Sequence, residues 1–225
     1  MALTSTPFGF IPAYHPSGQI RSIRHQGILL PGANVAFYKG MPVKLVLSAG
    51  GTVQGVATVA GQVYLAPIAA TTDPIYGVFA GCEYYDSTNR PGEFDFWAAN
   101  TVTFAGAPVT AFIWTDPLIE YAVQGDNTNG AGWQLTTTLG DLYGRFDGRQ
   151  GTVNTANVGV GSNATGLSVA SLLGGYTNLV ATTVQGQFQI TTLDPTILNQ
   201  TPGDPFPQFQ VRISRPQTAA VYPSF

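Results

Sequence analysis

Charge is the scarcest property of this sequence. Its 225 residues carry nine Lys and Arg and twelve Asp and Glu, so 9% of positions are charged. An ordinary soluble domain has about 25%. The formal net charge of −3 is weak. Cations scattered this thinly make no basic patch, which excludes electrostatic capture of nucleic acid. Little charge also leaves little protection against self-association. Much of the surface is therefore expected to lie under partners, as in an obligate oligomer or a large assembly. Hydrophobic content is ordinary at 44%, and Gly, Thr, Gln, Asn and Pro occupy the places that charge leaves. Disorder combines low hydrophobicity with high net charge, and neither is present.

Cysteine and histidine are nearly absent too, with one Cys and two His. A single cysteine forms no internal disulfide, so no oxidising compartment is implied. Cys82, His15 and His25 match no zinc spacing. No stretch approaches the ~20 apolar residues of a membrane span. The opening MALTSTPFGFIPAYHPSG has no basic n-region and is interrupted by Pro7 and Pro12, so no signal peptide is expected. Helix signals are equally rare. The best candidate is GLSVASLLGG, Gly166 to Gly175, at most two turns before a Gly-Gly stop. Its Thr and Ser neighbours suit a strand as well.

What the sequence does contain is strand pattern. A chain of this length buries roughly 70% of its unfolded surface, enough for one sizeable domain. Residues 1–24 read as an extended arm, because Pro7, Pro12 and Pro16 forbid a helix. The arm nonetheless carries Phe8, Phe10 and Tyr14, aromatics that a free polar tail would not need. From residue 25 to 225 strand-like segments follow one another. Val35 and Phe37 share a face before a turn at Lys39-Gly40; Val43, Leu45 and Leu47 then alternate with Lys44. In YGVFAGCEYYD, Tyr76, Val78, Ala80, Cys82 and Tyr84 share one face and Gly77 and Gly81 the other. Pro91-Gly92 suits the centre of a type II turn. Ile119, Tyr121 and Val123 point inward after a turn at Asp116-Pro117, with Glu120 and Gln124 outward. Phe188 and Ile190, then Phe209, Val211 and Ile213, give the cleanest period-two alternation. Residues 144–166 read as a loop-rich excursion. The fold class is all-β: a sandwich or closed barrel of short, mostly antiparallel strands.

Candidate chemistry is sparse. Cys82 lies beside Glu83 and Asp86, but a nucleophilic cysteine needs a base, and both histidines sit in or near the arm. Glu83 and Asp86, three apart on a strand, point to opposite faces. Cys82 therefore reads as a small buried hydrophobe. Glu93 and Asp95 share a face at roughly 6 to 7 Å, a separation that touches that of inverting glycosidases. Trp97 lies on the same face and could stack on a sugar. The competing interpretation is a solvated or interfacial face. GVGSNATG, with Gly159, Gly161 and Ala164, echoes a dinucleotide fingerprint but lacks its βαβ setting. GDNTNGAG offers calcium-type oxygens with one acid, Asp126. Asn163 and Asn199 match glycan acceptor patterns, without a secretory signal to give them weight. No catalytic residue, cofactor, metal or small-molecule substrate is expected.

Taken in order, several segments resemble the head decoration, or cement, proteins of tailed bacteriophages. These are the opening MALTSTPFGFIPAYHPSG, YGVFAGCEYYD followed by RPGEFDFWAAN, IWTDPLIEYAVQGD, GSNATGLSVASL and PFPQFQVRISRPQ. The resemblance runs from Met1 to about Arg215. It implies a protein without an active site that binds the outer surface of an expanded head, often as a homotrimer on local three-fold axes. There it would clamp the major capsid protein against internal pressure. It also implies a place in the virion after synthesis in the bacterial cytoplasm. Phe8, Phe10, Tyr14 and Trp97 are the expected assembly contacts, the arm aromatics anchoring on a neighbouring subunit. A tail- or fibre-associated protein and a carbohydrate-binding module are the alternatives.

Overall fold

Alternating side chains and glycine-bearing turns make short strands of about half of the described residues. The computed structural model describes residues 8–68, 73–126, 145–146, 148–149, 165, 167–168, 170–173, 187–193, 208–214 and 216–217. In its first half the strands are β1 (Ile11–Tyr14), β2 (Ile23–Leu29), β3 (Phe37–Tyr38), β4 (Pro42–Leu47), β5 (Gly51–Val53), β6 (Val56–Thr58), β7 (Val63–Pro67), β8 (Gly77–Tyr85), β9 (Pro91–Phe94) and β10 (Phe96–Trp97). β11 (Val109–Trp114), β12 (Glu120–Asp126), β13 (Arg145–Phe146), β14 (Gly148–Arg149), β15 (Ser171–Leu173), β16 (Phe188–Leu193) and β17 (Gln208–Ile213) follow. One short 3₁₀ turn spans Phe104–Gly106.

Two large sheets organise these strands. One has seven strands in the order β13-β16-β17-β12-β15-β14, with β1 also paired to β12. The other has six, β2-β11-β8-β4-β7, with β9 also paired to β8. Two small ladders, β3–β10 and β5–β6, complete the set. Pairing between the named strands is antiparallel except where β15 runs parallel to β12; the isolated bridges Lys39–Leu167 and Ile75–Pro216 are parallel too. The architecture is all-β and sandwich-like; the sheets do not close into a barrel.

The arm aromatics have an internal destination. β1 pairs with β12, Ile11 opposite Ala122 and Tyr14 opposite Glu120. Phe10 is fully buried and stacks on Phe188 with centroids 4.3 Å apart. The described part of the arm thus contributes a strand to the seven-stranded sheet. Within the candidate helix, Ser171–Leu173 form β15. Beyond β1, β12 still has an unpaired edge, and Gly125 takes Leu172 as its partner there. A sheet edge supplies backbone partners that a two-turn helix would struggle to nucleate.

Two apolar clusters result. The first joins Phe10, Ile75, Val78, Ile119, Tyr121, Val123, Phe188, Ile190, Phe209, Val211 and Ile213 between the sheets. The second gathers Leu29, Phe37, Met41, Val43, Leu65, Phe79, Cys82, Trp97, Val109 and Ile113 in the curl of the six-stranded sheet. β8 serves both through a β-bulge. Its ladder with β11 steps from Phe112–Gly81 to Ile113–Phe79 and leaves Ala80 unopposed, while Gly81 takes φ +143°. A bulge shifts side-chain parity. Val78 consequently joins the first cluster, while Phe79 and Cys82 join the second, so the single face expected for Val78 and Cys82 does not exist.

Asp116 and Pro117 do make a turn, but it is a corner. β11 belongs to the six-stranded sheet and β12 to the seven-stranded one. Ile119, Tyr121 and Val123 are buried as the alternation predicts. Gln124 is buried as well, contrary to expectation. β12 is interior to its sheet, with β17 on one edge and β1 then β15 on the other.

A backbone crossing locks the sheets together. The Phe10 amide donates to the Gly40 carbonyl, and the Gly40 amide donates to the Phe79 carbonyl, each at 2.8 Å. Both Gly9 and Gly40 have positive φ, +80° and +84°. A Cβ on Gly40 would lie 3.0 Å from the Phe10 nitrogen, whereas one on Gly18, at φ +72°, would meet nothing within 4 Å. Gly18→Ala should therefore cost only the left-handed penalty of about 1 kcal/mol. Gly40→Ala adds steric displacement of a buried hydrogen bond and should cost roughly 3 kcal/mol. Urea unfolding of the two variants beside the parent checks the difference.

Candidate functional site

The cysteine stretch resolves into packing. Cys82 is fully buried, and its thiol is pushed up to about 12, first by burial and then by the nearby Asp95 charge. The thiol donates weakly to the Phe96 carbonyl at 3.6 Å. His25 is engaged elsewhere, its Nε2 lying 2.6 Å from the Tyr76 hydroxyl. Glu83 pairs with Arg24 on the outside. Asp86 works as a turn cap: its Oδ1 accepts the amides of Thr88 and Arg90 and the Thr88 hydroxyl, at 2.8, 3.0 and 2.7 Å. With Asn89 at φ +63°, it forms a three-residue hairpin loop with a left-handed last residue. The β8–β9 turn is therefore made by residues 86–90, and Pro91-Gly92, expected at its centre, instead open β9.

The proposed sugar face is dismantled by a bend. β9 pairs with β8, the chain turns at Asp95, and β10 pairs with β3. Glu93 and Asp95 stay exposed, but Trp97 turns inward and is fully buried, edge-on to Tyr84 at 5.0 Å. Its Nε1 has no hydrogen-bond partner. Asp95 is held by Lys39, amide to carbonyl at 3.0 Å and Nζ to Oδ1 at 2.9 Å. Trp97 is thus available neither for stacking nor for assembly. Phe10 is likewise committed to its own core. Of the four expected contacts, Phe8 is half-buried and Tyr14 remains exposed.

A different constellation appears where the β1–β2 connection meets the β11–β12 corner. His15 Nε2 lies 3.1 Å from Asp116 Oδ2, and its Nδ1 lies 2.6 Å from Ser17 Oγ. The Ser17 amide also donates to Nδ1, at 3.1 Å, so Nδ1 carries the lone pair and Nε2 the hydrogen. Asp116 Oδ1 accepts the Leu118 amide at 2.9 Å. His15, Ser17 and Asp116, with Gln19, Arg21 and Ile119, line a cleft of about 310 Å³. The Arg21 guanidinium donates to Gln19 Oε1 at 2.5 Å.

Tyr14, Ile20, Ile23 and Leu118, each within two residues in sequence of a residue that lines this cleft, are exposed. Tyr14 sits opposite Glu120, two residues beyond Leu118, and Ile23 sits opposite Ile113 at the end of β11. No local pattern announces this site, since His15 and Asp116 are 101 residues apart and meet only because β1 joins β12. Among the described residues no cluster of His, Cys, Asp or Glu could hold a metal ion. The stretches around Gly159 and Asn163, the loop after Asp126, and Asn199 lie outside the described residues. No family model, no curated protein and no solved structure matches the chain.

Two outcomes follow for the cysteine stretch. Cys82 should stay unmodified by a soluble disulfide reagent in the native protein and react fully in denaturant, as mass spectrometry would report. For Asp86, the hydrogen bonds from Arg90 and Thr88 hold the carboxyl below its ordinary value. A depressed native pKa stabilises the fold above the unfolded-state value and loses that contribution as pH falls through the native one. Asp86→Ala should therefore be less stable than the parent at pH 7, and the gap should close in acid; thermal melts across that range check the sign.

Proposed function

We propose that the chain is a virion structural protein. In this proposal it decorates the outer surface of a tailed-phage head and stabilises the shell as a homotrimer bound to the major capsid protein. The ordered resemblance from Met1 to about Arg215 supports this role, as does a composition with 9% charge. The observation that carries it is the apolar rim of Tyr14, Ile20, Ile23 and Leu118 at one corner. Isolated exposed apolar residues are ordinary, but grouped ones mark contact surfaces. A ligand that binds the expanded shell and not its precursor stabilises the former by linkage, and three copies per trimer multiply weak contacts.

Because Phe10 and β1 belong to the core, removing the arm would test folding more than docking. Surface variants separate the two. Leu118→Glu combined with Tyr14→Ser should leave the melting temperature within a few degrees of the parent, since both side chains are exposed. The same variant should lose most co-sedimentation with expanded, undecorated heads. Light scattering of the parent should give about 71 kDa, three times the 23.7 kDa chain, as a closed cyclic trimer requires. Parent protein that stays monomeric and fails to sediment with heads contradicts the proposal.

A further inference from the structure

We propose that the corner cleft is also a nucleophilic site, in which Ser17, activated by His15, takes the acyl group of small carboxylic esters. This goes beyond the assembly role and is independent of it. The inference rests on the direction of two hydrogen bonds. The Ser17 amide donates to His15 Nδ1, which fixes that nitrogen as the acceptor. The Ser17 hydroxyl lies 2.6 Å from the same nitrogen, a shorter approach than the 3.5 Å to its other acceptor, the Gln19 carbonyl. The opposite nitrogen donates to Asp116 Oδ2 at 3.1 Å. A hydroxyl on an imidazole lone pair, with the far nitrogen held by a carboxylate, is the arrangement that raises a serine's nucleophilicity. The ring nitrogens have exchanged their usual roles, which an imidazole permits because either can take up or release the proton.

The surroundings hold this geometry. The His15 side chain is only 10% exposed, and Asp116 is itself fixed by the Leu118 amide. Ser17 is exposed at the mouth of the cleft. Ile119, fully buried, closes the floor with apolar surface. Arg21 lines the same cleft and makes no ion pair among the described residues. Its guanidinium has five N–H donors, and beyond the one on Gln19 they can meet a developing oxyanion. A space of about 310 Å³ sits at the small end of ligand clefts. It suits acetyl to butyryl esters better than long acyl chains.

The chemistry balances with water alone. Ser17 Oγ bonds to the acyl carbon as its proton passes to Nδ1, and the carbonyl oxygen takes the negative charge beside Arg21. The bond to the leaving oxygen breaks, and that oxygen takes the proton back from Nδ1. Water then attacks the acyl-serine, gives a proton to Nδ1, and releases the acid as Ser17 recovers its own. Ser17 and His15 are the catalytic residues here; Asp116 positions the ring.

A fluorophosphonate reagent and p-nitrophenyl acetate test this on the full chain. Peptide mass spectrometry should find one phosphonate adduct, on Ser17, abolished in Ser17→Ala. That variant should keep the parent's melting temperature, since Ser17 is exposed. His15→Gln should lower kcat for p-nitrophenyl acetate by about a hundredfold. Asp116→Asn should lower kcat with KM unchanged, a split that a purely structural role would not produce. Absence of the Ser17 adduct, or equal ester hydrolysis by parent and Ser17→Ala, overturns the proposal. A lowered melting temperature for Asp116→Asn with kcat intact overturns the role given to Asp116.

Discussion

The rest of the structure depends on one backbone crossing, where Gly9 and Phe10 pass over Gly40. Phe10 N–H meets the Gly40 carbonyl and Gly40 N–H meets the Phe79 carbonyl, so three segments share two consecutive hydrogen bonds. A Cβ on Gly9 would sit 2.9 Å from both the Gly40 oxygen and Ser168 Cβ. Glycine is needed there for space as well as for its positive φ. The neighbouring residue extends the knot. Lys39 receives Ser168 N–H on its carbonyl at 2.8 Å and holds Asp95 through both backbone and side chain. One short turn thereby joins the arm, the six-stranded sheet, the β9–β10 bend and the 167–168 segment.

The two cores follow from that knot and from the bulge in β8. With Phe10 delivered against Phe188, the first cluster fills between the sheets; with the parity of β8 reversed at Ala80, Phe79 and Cys82 fill the second. Further ties cross between the sheets. Lys44 Nζ pairs with Asp73 Oδ1 at 2.7 Å, while the Asp73 carbonyl accepts the side-chain amide of buried Gln187, also at 2.7 Å. The Gln217 side chain pairs with both the amide and the carbonyl of Leu45, at 2.8 and 2.7 Å. It imitates a strand partner on the edge of β4. Polar side chains, scarce in charge but rich in amides, thus satisfy backbone groups that burial would otherwise leave costly.

The parts of this fold visible in the sequence were those set by local period. Phe209, Val211 and Ile213 alternate because one face of β17 is dry, and Ile119, Tyr121 and Val123 do so for the same reason. The turn at Lys39-Gly40 was readable from its glycine. What escaped was set by distant partners. Nothing near Trp97 reveals that β10 leaves β8 for β3, and nothing near Gln187 reveals that Asp73 will supply its acceptor. The bulge at Ala80 depends on β11, so period-two reasoning placed Val78 and Cys82 together. The corner cleft was invisible for the same reason: Ser17, His15 and Asp116 belong to two stretches that only the β1–β12 ladder brings together.

Burial of Phe10 and Trp97 also changes where outside partners can dock. The aromatics that looked most like anchors hold the chain to itself, whereas Tyr14 and Leu118 at the corner stay exposed. That division rests on the arm being part of the cooperative fold. Amide hydrogen exchange at Phe10 and Gly40 tests it most directly. Both amides should exchange as slowly as that of Phe79, through global unfolding. Exchange of the Phe10 amide near the rate of an open peptide, with Phe79 still protected, would contradict the account.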